Sequence, residues 1–277
     1  MKTSCFKAYD IRGRIPDELN PDLARRIAYA YAQVIKPKRV VVGRDIRLSS
    51  VEIADAVADG LMRADVEVLD IGLCGTENVY FAVADQGVDG GIMVTASHNP
   101  IDYNGLKLVR EESRPIGIET GLQDIQALVE DDAFMLPEAG GGSRTELNTW
   151  DGYIEHLLSY VDVASMKPLK VVMNPGNGGA GLAIDRLQGL LPLEIIKMDY
   201  EVDGNFPNGI PNPLLPENQS RTSQRVIDEG ADLGIAWDGD FDRCFLFDED
   251  GKFVNGYYLT GLLSQEMLIL HEGAAVV

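Results

Sequence analysis

The residues best suited to chemistry in this 277-residue chain fall in a few short strings. Asp238, Asp240 and Asp242 occupy alternate positions, spaced by Gly239 and Phe241 and followed by Arg243. They come directly after an apolar run at 233–237 that reads as a strand, so the three carboxylates converge on one side of a short turn. Unpaired, they would repel one another. A hard divalent cation relieves that repulsion, and oxygen ligands favour magnesium, calcium or manganese. Phe241 can pack inward while Asp240 and Asp242 face the ion, and Arg243 follows as an anion binder. A solvated acidic turn is the plainer reading, but apolar strands flank the cluster tightly. An EF-hand is the rival metal reading, with Glu249 at the twelfth position. It fails because Arg243 stands where that loop needs glycine, and strands replace its helices.

The string from Thr95 through Ala96, Ser97, His98 and Asn99 to Pro100 follows the apolar strand at 91–94. Ser97 therefore lies at a strand's carboxyl end, where open α/β sheets place ligands. These residue types also make ordinary turns, and neither a hydrolase triad nor G-x-S-x-G accompanies them. Residues 176–181 form a G-x-G-x-x-G string after a strand, with Asp199 near the spacing of a ribose-binding acid. That leaves an NAD-dependent oxidoreductase open as a remote alternative, although Pro175 stiffens the turn and glycines serve tight turns equally well. Arg12, Arg14, Arg44, Arg47, Lys107 and Arg110 are the local sources of positive charge, and each is also open to the ordinary reading of a solvated charge. Residues 203–213 read only as an ordered loop.

The elements that position these strings alternate. Asn20 and Pro21 open a helix with an apolar stripe of Leu23, Ile27, Tyr31 and Val34. Residues 40–42 form a β-branched strand, Ser49 and Glu52 predict a capping box, and 66–71 and 91–95 are further strands. The pattern lapses over 135–148, where a glycine triplet among polar residues predicts an interdomain linker. It resumes with a helix at 150–161, strands at 169–173 and 193–198 around a helix at 182–190, and strands at 232–237 and 244–247. A helix at 257–270 precedes residues 274–277, which read as the opening strand of another unit. Strands alternating with helices predict layered α/β domains: a first at 1–134, a linker at 135–149, a second at 150–255 and the start of a third at 256–277.

Net charge of −20 argues against nucleic acid as a partner. No run approaches a bilayer span and the first residues lack a signal-like apolar stretch. Cys5, Cys74 and Cys244 read as free thiols of a reducing compartment. A cytoplasmic chain without a membrane partner is the expectation.

In combination, residues 8–13, 95–100, 203–213 and 238–243 resemble, in order and spacing, the motifs of the α-D-phosphohexomutases. The longer strings 102–110 and 242–248 resemble the bacterial phosphomannomutase branch. The likeness covers essentially the whole chain and implies mixed-sheet α/β domains of phosphohexomutase type. It implies that Ser97 carries the transferred phosphoryl group, and that Asp238, Asp240 and Asp242 hold magnesium together with a phosphoserine oxygen at Ser97. Arg243 would orient that site and Lys107 would be a general acid or base. Tyr9 and Arg12 would lie near the phosphoserine, with His98 and Asn99 lining its loop. The implied substrates are hexose phosphates: mannose 6-phosphate and mannose 1-phosphate, interconverted through a hexose 1,6-bisphosphate. The product would feed GDP-mannose supply. Phosphoglucomutase activity and a non-catalytic phosphoacceptor are the alternatives. The family's Glu-x-Ser sugar-selecting loop and its second phosphate-gripping loop are not in this sequence, so this chain alone is expected to have little mutase activity.

Overall fold

A computed structural model describes residues 3–276. The first sheet is built from β1 (Ile11–Arg14), β2 (Arg39–Arg44), β3 (Glu67–Leu73), β4 (Gly90–Val94), β5 (Tyr103–Arg110) and β6 (Ser143–Glu146), in the order β1-β5-β4-β2-β3-β6. β2, β3, β4 and β6 run parallel, while β5 and β1 are antiparallel to their neighbours. Helices α1 (Pro21–Ile35), α2 (Ser50–Met62) and α4 (Leu122–Glu130) cover one face, and α3 (Thr76–Asp85) covers the other.

The second sheet holds β7 (Leu169–Asn174), β8 (Leu193–Lys197), β9 (Leu233–Trp237), β10 (Cys244–Phe247) and β11 (Phe253–Val254), in the order β11-β10-β9-β7-β8. Its helices are α5 (Trp150–Leu158), α6 (Ala180–Leu187) and α7 (Ser220–Glu229), and α8 (Gly256–Leu270) follows the sheet. Mixed-sheet α/β architecture is thus present twice.

Period-two alternation explains how one chain supplies several cores. Val40 and Val42 point into the cluster under α1 and α2, while Val41 points the other way. Val171 and Met173 join Val41 in a cluster that also takes residues of α3, α5 and α6, so a continuous apolar core runs between the two sheets. Val172 faces a third cluster with Val226 and Phe247. The two sheets are therefore joined through buried apolar surface and the helices between them, and loops at their carboxyl ends meet.

Several local expectations are met. Asn20 Oδ1 accepts a hydrogen bond from Leu23 N at 2.9 Å and Pro21 opens α1. Others differ. Ser49 does not cap α2: its hydroxyl accepts from Asn104 Nδ2 at 2.8 Å instead, so no capping box forms. The segment expected to be an interdomain linker contains β6, which pairs in parallel with β3. Gly140 and Gly142 lie so close to the backbone of Met62, Arg63 and Val66 that a Cβ has no room. The glycine triplet is there for close packing rather than slack. Residues 274–276 form no strand, and Val277 lies outside the described residues, as do Met1 and Lys2. No residue of α8 is buried, and Tyr257, Tyr258, Ile269 and Leu270 are exposed.

Candidate active site

Ser97 follows β4 and takes a left-handed backbone conformation, φ 51°, uncommon for a residue with a side chain. Two contacts hold it there. Thr95 Oγ1 accepts from Ser97 N at 2.9 Å, and the Arg47 guanidinium donates to Ser97 O at 2.9 Å. Arg47 is buried and bonds four carbonyls of this loop, adding Asn99 O at 2.6 Å, Pro100 O at 2.7 Å and Tyr103 O at 3.0 Å. Its charge partner, Asp45, is buried too and accepts from Ser50 and from Thr95 at 2.7 Å. Burial penalises both charges, pushing the Asp45 carboxyl up and the Arg47 guanidinium down. Arg47, one of the local sources of positive charge in the sequence, is the clamp of the serine loop.

The acidic string lies between β9 and β10. Phe241, φ 47°, turns inward and packs against Gly75 and Gly179, where any Cβ would strike its ring. Gly239 faces the Ser97 carbonyl, and a Cβ there would lie 2.9 Å from that oxygen. Glycine at 239 is what lets the two loops touch. As a result Ser97 Oγ lies 2.7 Å from Asp238 Oδ2 although 141 positions separate them in sequence.

The carboxylates of Asp238, Asp240 and Asp242 present oxygens within 4.8 Å of one another. Asp240 is fully buried. Its Oδ2 accepts from Thr76 Oγ1 at 2.7 Å and from Lys107 Nζ at 2.7 Å, yet its Oδ1 is buried with no hydrogen-bond partner. An unpaired buried carboxylate oxygen is costly. Beside two more carboxylates, that all-oxygen set suits a hard divalent cation, so the residues present fit a metal ion.

Lys107 Nζ also bonds Asp242 Oδ2 at 2.6 Å. Burial opposes its charge, but the two carboxylates outweigh burial and raise its pKa, so its proton is held tightly. Arg243 bridges the loops, donating to Asp238 Oδ2 at 2.6 Å and to Ser97 Oγ at 3.2 Å and touching His98 Nδ1. Burial first, then Asp240's charge, pushes the Asp238 carboxyl up to about 6, with Arg243 pulling the other way. The imidazole of His98 lies 3.1 Å from Ser97 Oγ, and burial and Arg243 lower its pKa.

Ser97, His98, Lys107, Asp238, Asp240, Asp242 and Arg243 are thereby one cluster. Arg12 reaches it indirectly, through Asn99 Oδ1 at 2.6 Å. Tyr9 stands apart, 83% exposed beside Gly117. Sequence reasoning overlooked Thr76, Asp45 and the supporting role of Thr95, for which the sequence carries no spacing signal. The glycine string at 176–181 packs on protein: Gly178 abuts Gly239, Gly179 abuts Phe241, and Asp199 binds Arg221 at 2.7 Å. Gly178 and Gly179 thus approach protein where a dinucleotide fold would bring its glycines to a pyrophosphate.

Comparison with known proteins agrees with this arrangement. Residues 3–135 match the model of phosphoglucomutase/phosphomannomutase alpha/beta/alpha domain I, and residues 151–251 match that of domain II. The chain belongs to the phosphoglucomutase/phosphomannomutase family. It is 55% identical over 282 residues to a phosphomannomutase of Salmonella typhimurium, covering 100% of this chain and 62% of that protein. With the phosphohexose mutases of Xanthomonas campestris pv. campestris it shares 56% identity over 279 residues, again 100% of this chain and 62% of the relative. A crystal structure of a phosphoglucomutase/phosphomannomutase family protein from Burkholderia thailandensis superposes with a TM-score of 0.89 at 37% identity, over 99% of this chain and 61% of that one. The chain thus spans about three fifths of the length of these relatives.

Proposed function

We propose that this chain carries the phosphoserine and metal half of a phosphomannomutase, interconverting mannose 6-phosphate and mannose 1-phosphate through a hexose 1,6-bisphosphate. The observation that carries this is the meeting of Ser97 Oγ with Asp238 at 2.7 Å beside two further carboxylates. Asp240 Oδ1 is left without a partner beside Ser97, and a phosphorylated serine with a dication supplies the missing cation while the two added charges offset one another. In the proposed reaction the bond from phosphorus to Ser97 Oγ breaks as one to a sugar hydroxyl oxygen forms. The hydroxyl proton leaves to a base, and the reverse transfer from the other sugar phosphate restores phosphoserine.

Asp238, Asp240, Asp242 and a phosphoserine oxygen would hold magnesium, which supplies charge neutralisation to the phosphoryl group. Arg243 anchors Asp238 and the nucleophile's oxygen together, and Lys107 adds positive charge and a proton donor. Arg12, through Asn99, and His98 shape the loop. Tyr9, exposed beside Gly117, would meet a sugar entering from solvent. We also read residues 1–134 and 150–255 as the two domains, joined by 135–149, with 256–277 opening a third; the family matches at 3–135 and 151–251 support that division. A cytoplasmic location fits the family, and among the described residues no helix is long and apolar enough to cross a membrane.

Intact-mass measurement after incubation with a hexose 1,6-bisphosphate and magnesium tests the reading. One added phosphoryl group that disappears in Ser97→Ala is expected. Unmodified protein, or equal labelling of Ser97→Ala, refutes it.

A further inference from the structure

The loop at 203–213, between β8 and α7, takes no part in the chemistry above. It is rooted in the glycine string. Asn177, buried and left-handed at φ 61°, accepts from Asp203 N at 3.0 Å and, through Oδ1, from Asn208 Nδ2 at 2.9 Å. Its own Nδ2 donates to Glu201 O at 2.8 Å. Asparagine tolerates that backbone region better than most residues, and here it ties the loop down on both sides of residues 204–207.

From that root the loop reaches across to the first sheet's half. Gly204 lies so close to Ile46 O and Leu48 that a Cβ has no room. Phe206 is buried and left-handed at φ 47°, and its ring lies on the Arg47 guanidinium, 5.6 Å from Cζ to the ring centre. The ring's tip is 3.9 Å from where a Cβ on Gly239 would stand. One side chain thus touches the clamp of the serine loop and reaches the acidic loop at the place where it meets Ser97 O. Asn205 and Ile210 of the same loop share a crevice with His98 and Pro100.

Arg47 turns its N–H donors to four carbonyls of the serine loop, which leaves its flat faces. An aromatic ring covers such a face without competing for those donors, and the attraction strengthens where water is excluded. Holding a bulky residue left-handed costs free energy, and the three bonds to Asn177 are what keep Phe206 there. We propose that Phe206 is a positioning residue for phosphoryl transfer at Ser97: acting through Arg47, it holds the serine loop at its distance from the three carboxylates. The inference rests on the phosphoserine reading above. Phe206 touches no reacting atom; its effect is on how firmly the serine loop keeps the conformation that faces Asp238.

Hydrogen exchange of the full chain, read by mass spectrometry without added ligand, reports on the loop itself. In Phe206→Leu the amides at 96–99 should exchange about tenfold faster while those of α1 and β7 stay as in wild type. Intact-mass kinetics with glucose 1,6-bisphosphate and magnesium report on the transfer. The same variant should label roughly tenfold to a hundredfold more slowly at saturating donor, with the half-saturating donor concentration unmoved. Because the effect runs through Arg47, Phe206→Leu should slow labelling by less than about threefold in an Arg47→Lys background. Asn208→Ala cuts one anchor from an exposed position and should give the same pattern at smaller size, keeping the test valid should Phe206→Leu fail to fold. Faster exchange spread evenly over the chain would mark Phe206 as ordinary packing and overturn the proposal. Unchanged labelling, or equal slowing with Arg47 and with Lys at 47, would overturn it too. Wild type that takes up no phosphoryl group sinks the phosphoserine reading and this inference with it, whereas labelled wild type beside unaltered variants sinks this inference alone.

Discussion

Replacing Arg47 with methionine keeps most of the side chain's length while deleting its charge and its four hydrogen bonds to the serine loop. Only the bond to Ser97 O is deeply buried; those to Asn99, Pro100 and Tyr103 lie where water can partly replace the guanidinium. The larger loss is the Asp45 carboxylate, left buried with its hydroxyl partners but no countercharge. Removing one member of a buried pair costs about 3–5 kcal/mol. For a chain of this size each kcal/mol lowers Tm by roughly 2–4 °C, so the first domain should melt about 6–20 °C lower. Arg47→Lys, retaining charge but not the fork, should fall between wild type and Arg47→Met. Differential scanning calorimetry with no added ligand reads the effect. A Tm for Arg47→Met within about 2 °C of wild type would refute the clamp. So would Asp45→Asn in the Arg47→Met background if it failed to recover stability, because the penalty was assigned to the stranded carboxylate.

The remaining predictions concern the meeting of the two loops. Magnesium should raise the melting temperature of wild type and leave Asp240→Asn unmoved, because the orphaned Oδ1 belongs to that residue; equal shifts in both proteins would exclude Asp240 as a ligand. Excess EDTA should reverse the magnesium effect in the same melting experiment. Gly239→Ala places a Cβ 2.9 Å from Ser97 O and should cost about 1–3 kcal/mol while slowing phosphorylation of Ser97 by a hexose bisphosphate; unchanged denaturation and labelling would show that the loops need no such approach. Phe241→Ala removes the plug between Gly75 and Gly179 and should destabilise the chain by about 3–5 kcal/mol in urea denaturation, whereas a loss under ~1 kcal/mol would show that the ring is not packed as described.

Much of the candidate site was legible because its chemistry is local. Alternate carboxylates after an apolar strand already imply convergence, and Ser97 after β4 already implies a sheet-end loop. Strand and helix positions followed from period and caps, since β-branched runs and an Asn-Pro start act through neighbouring residues. What failed locally did so for tertiary reasons. Ser49 had a capping box available and gave its hydroxyl to Asn104 instead. The glycines at 140–142 looked like slack until β3 offered residues 143–146 an edge to pair with.

The sequence by itself determined which groups could act: the nucleophile, the three carboxylates, the cations near them and the two α/β grammars that carry them. Only the tertiary structure decided that they come together. Bringing Ser97 to Asp238 depends on an apolar core shared by both sheets and on glycine where the loops touch. It depends equally on Thr76 and Lys107 of the first sheet's half engaging Asp240 of the second. Contacts between residues more than a hundred positions apart leave no periodicity in one chain, because each is set by where two separate elements pack and not by the spacing between them.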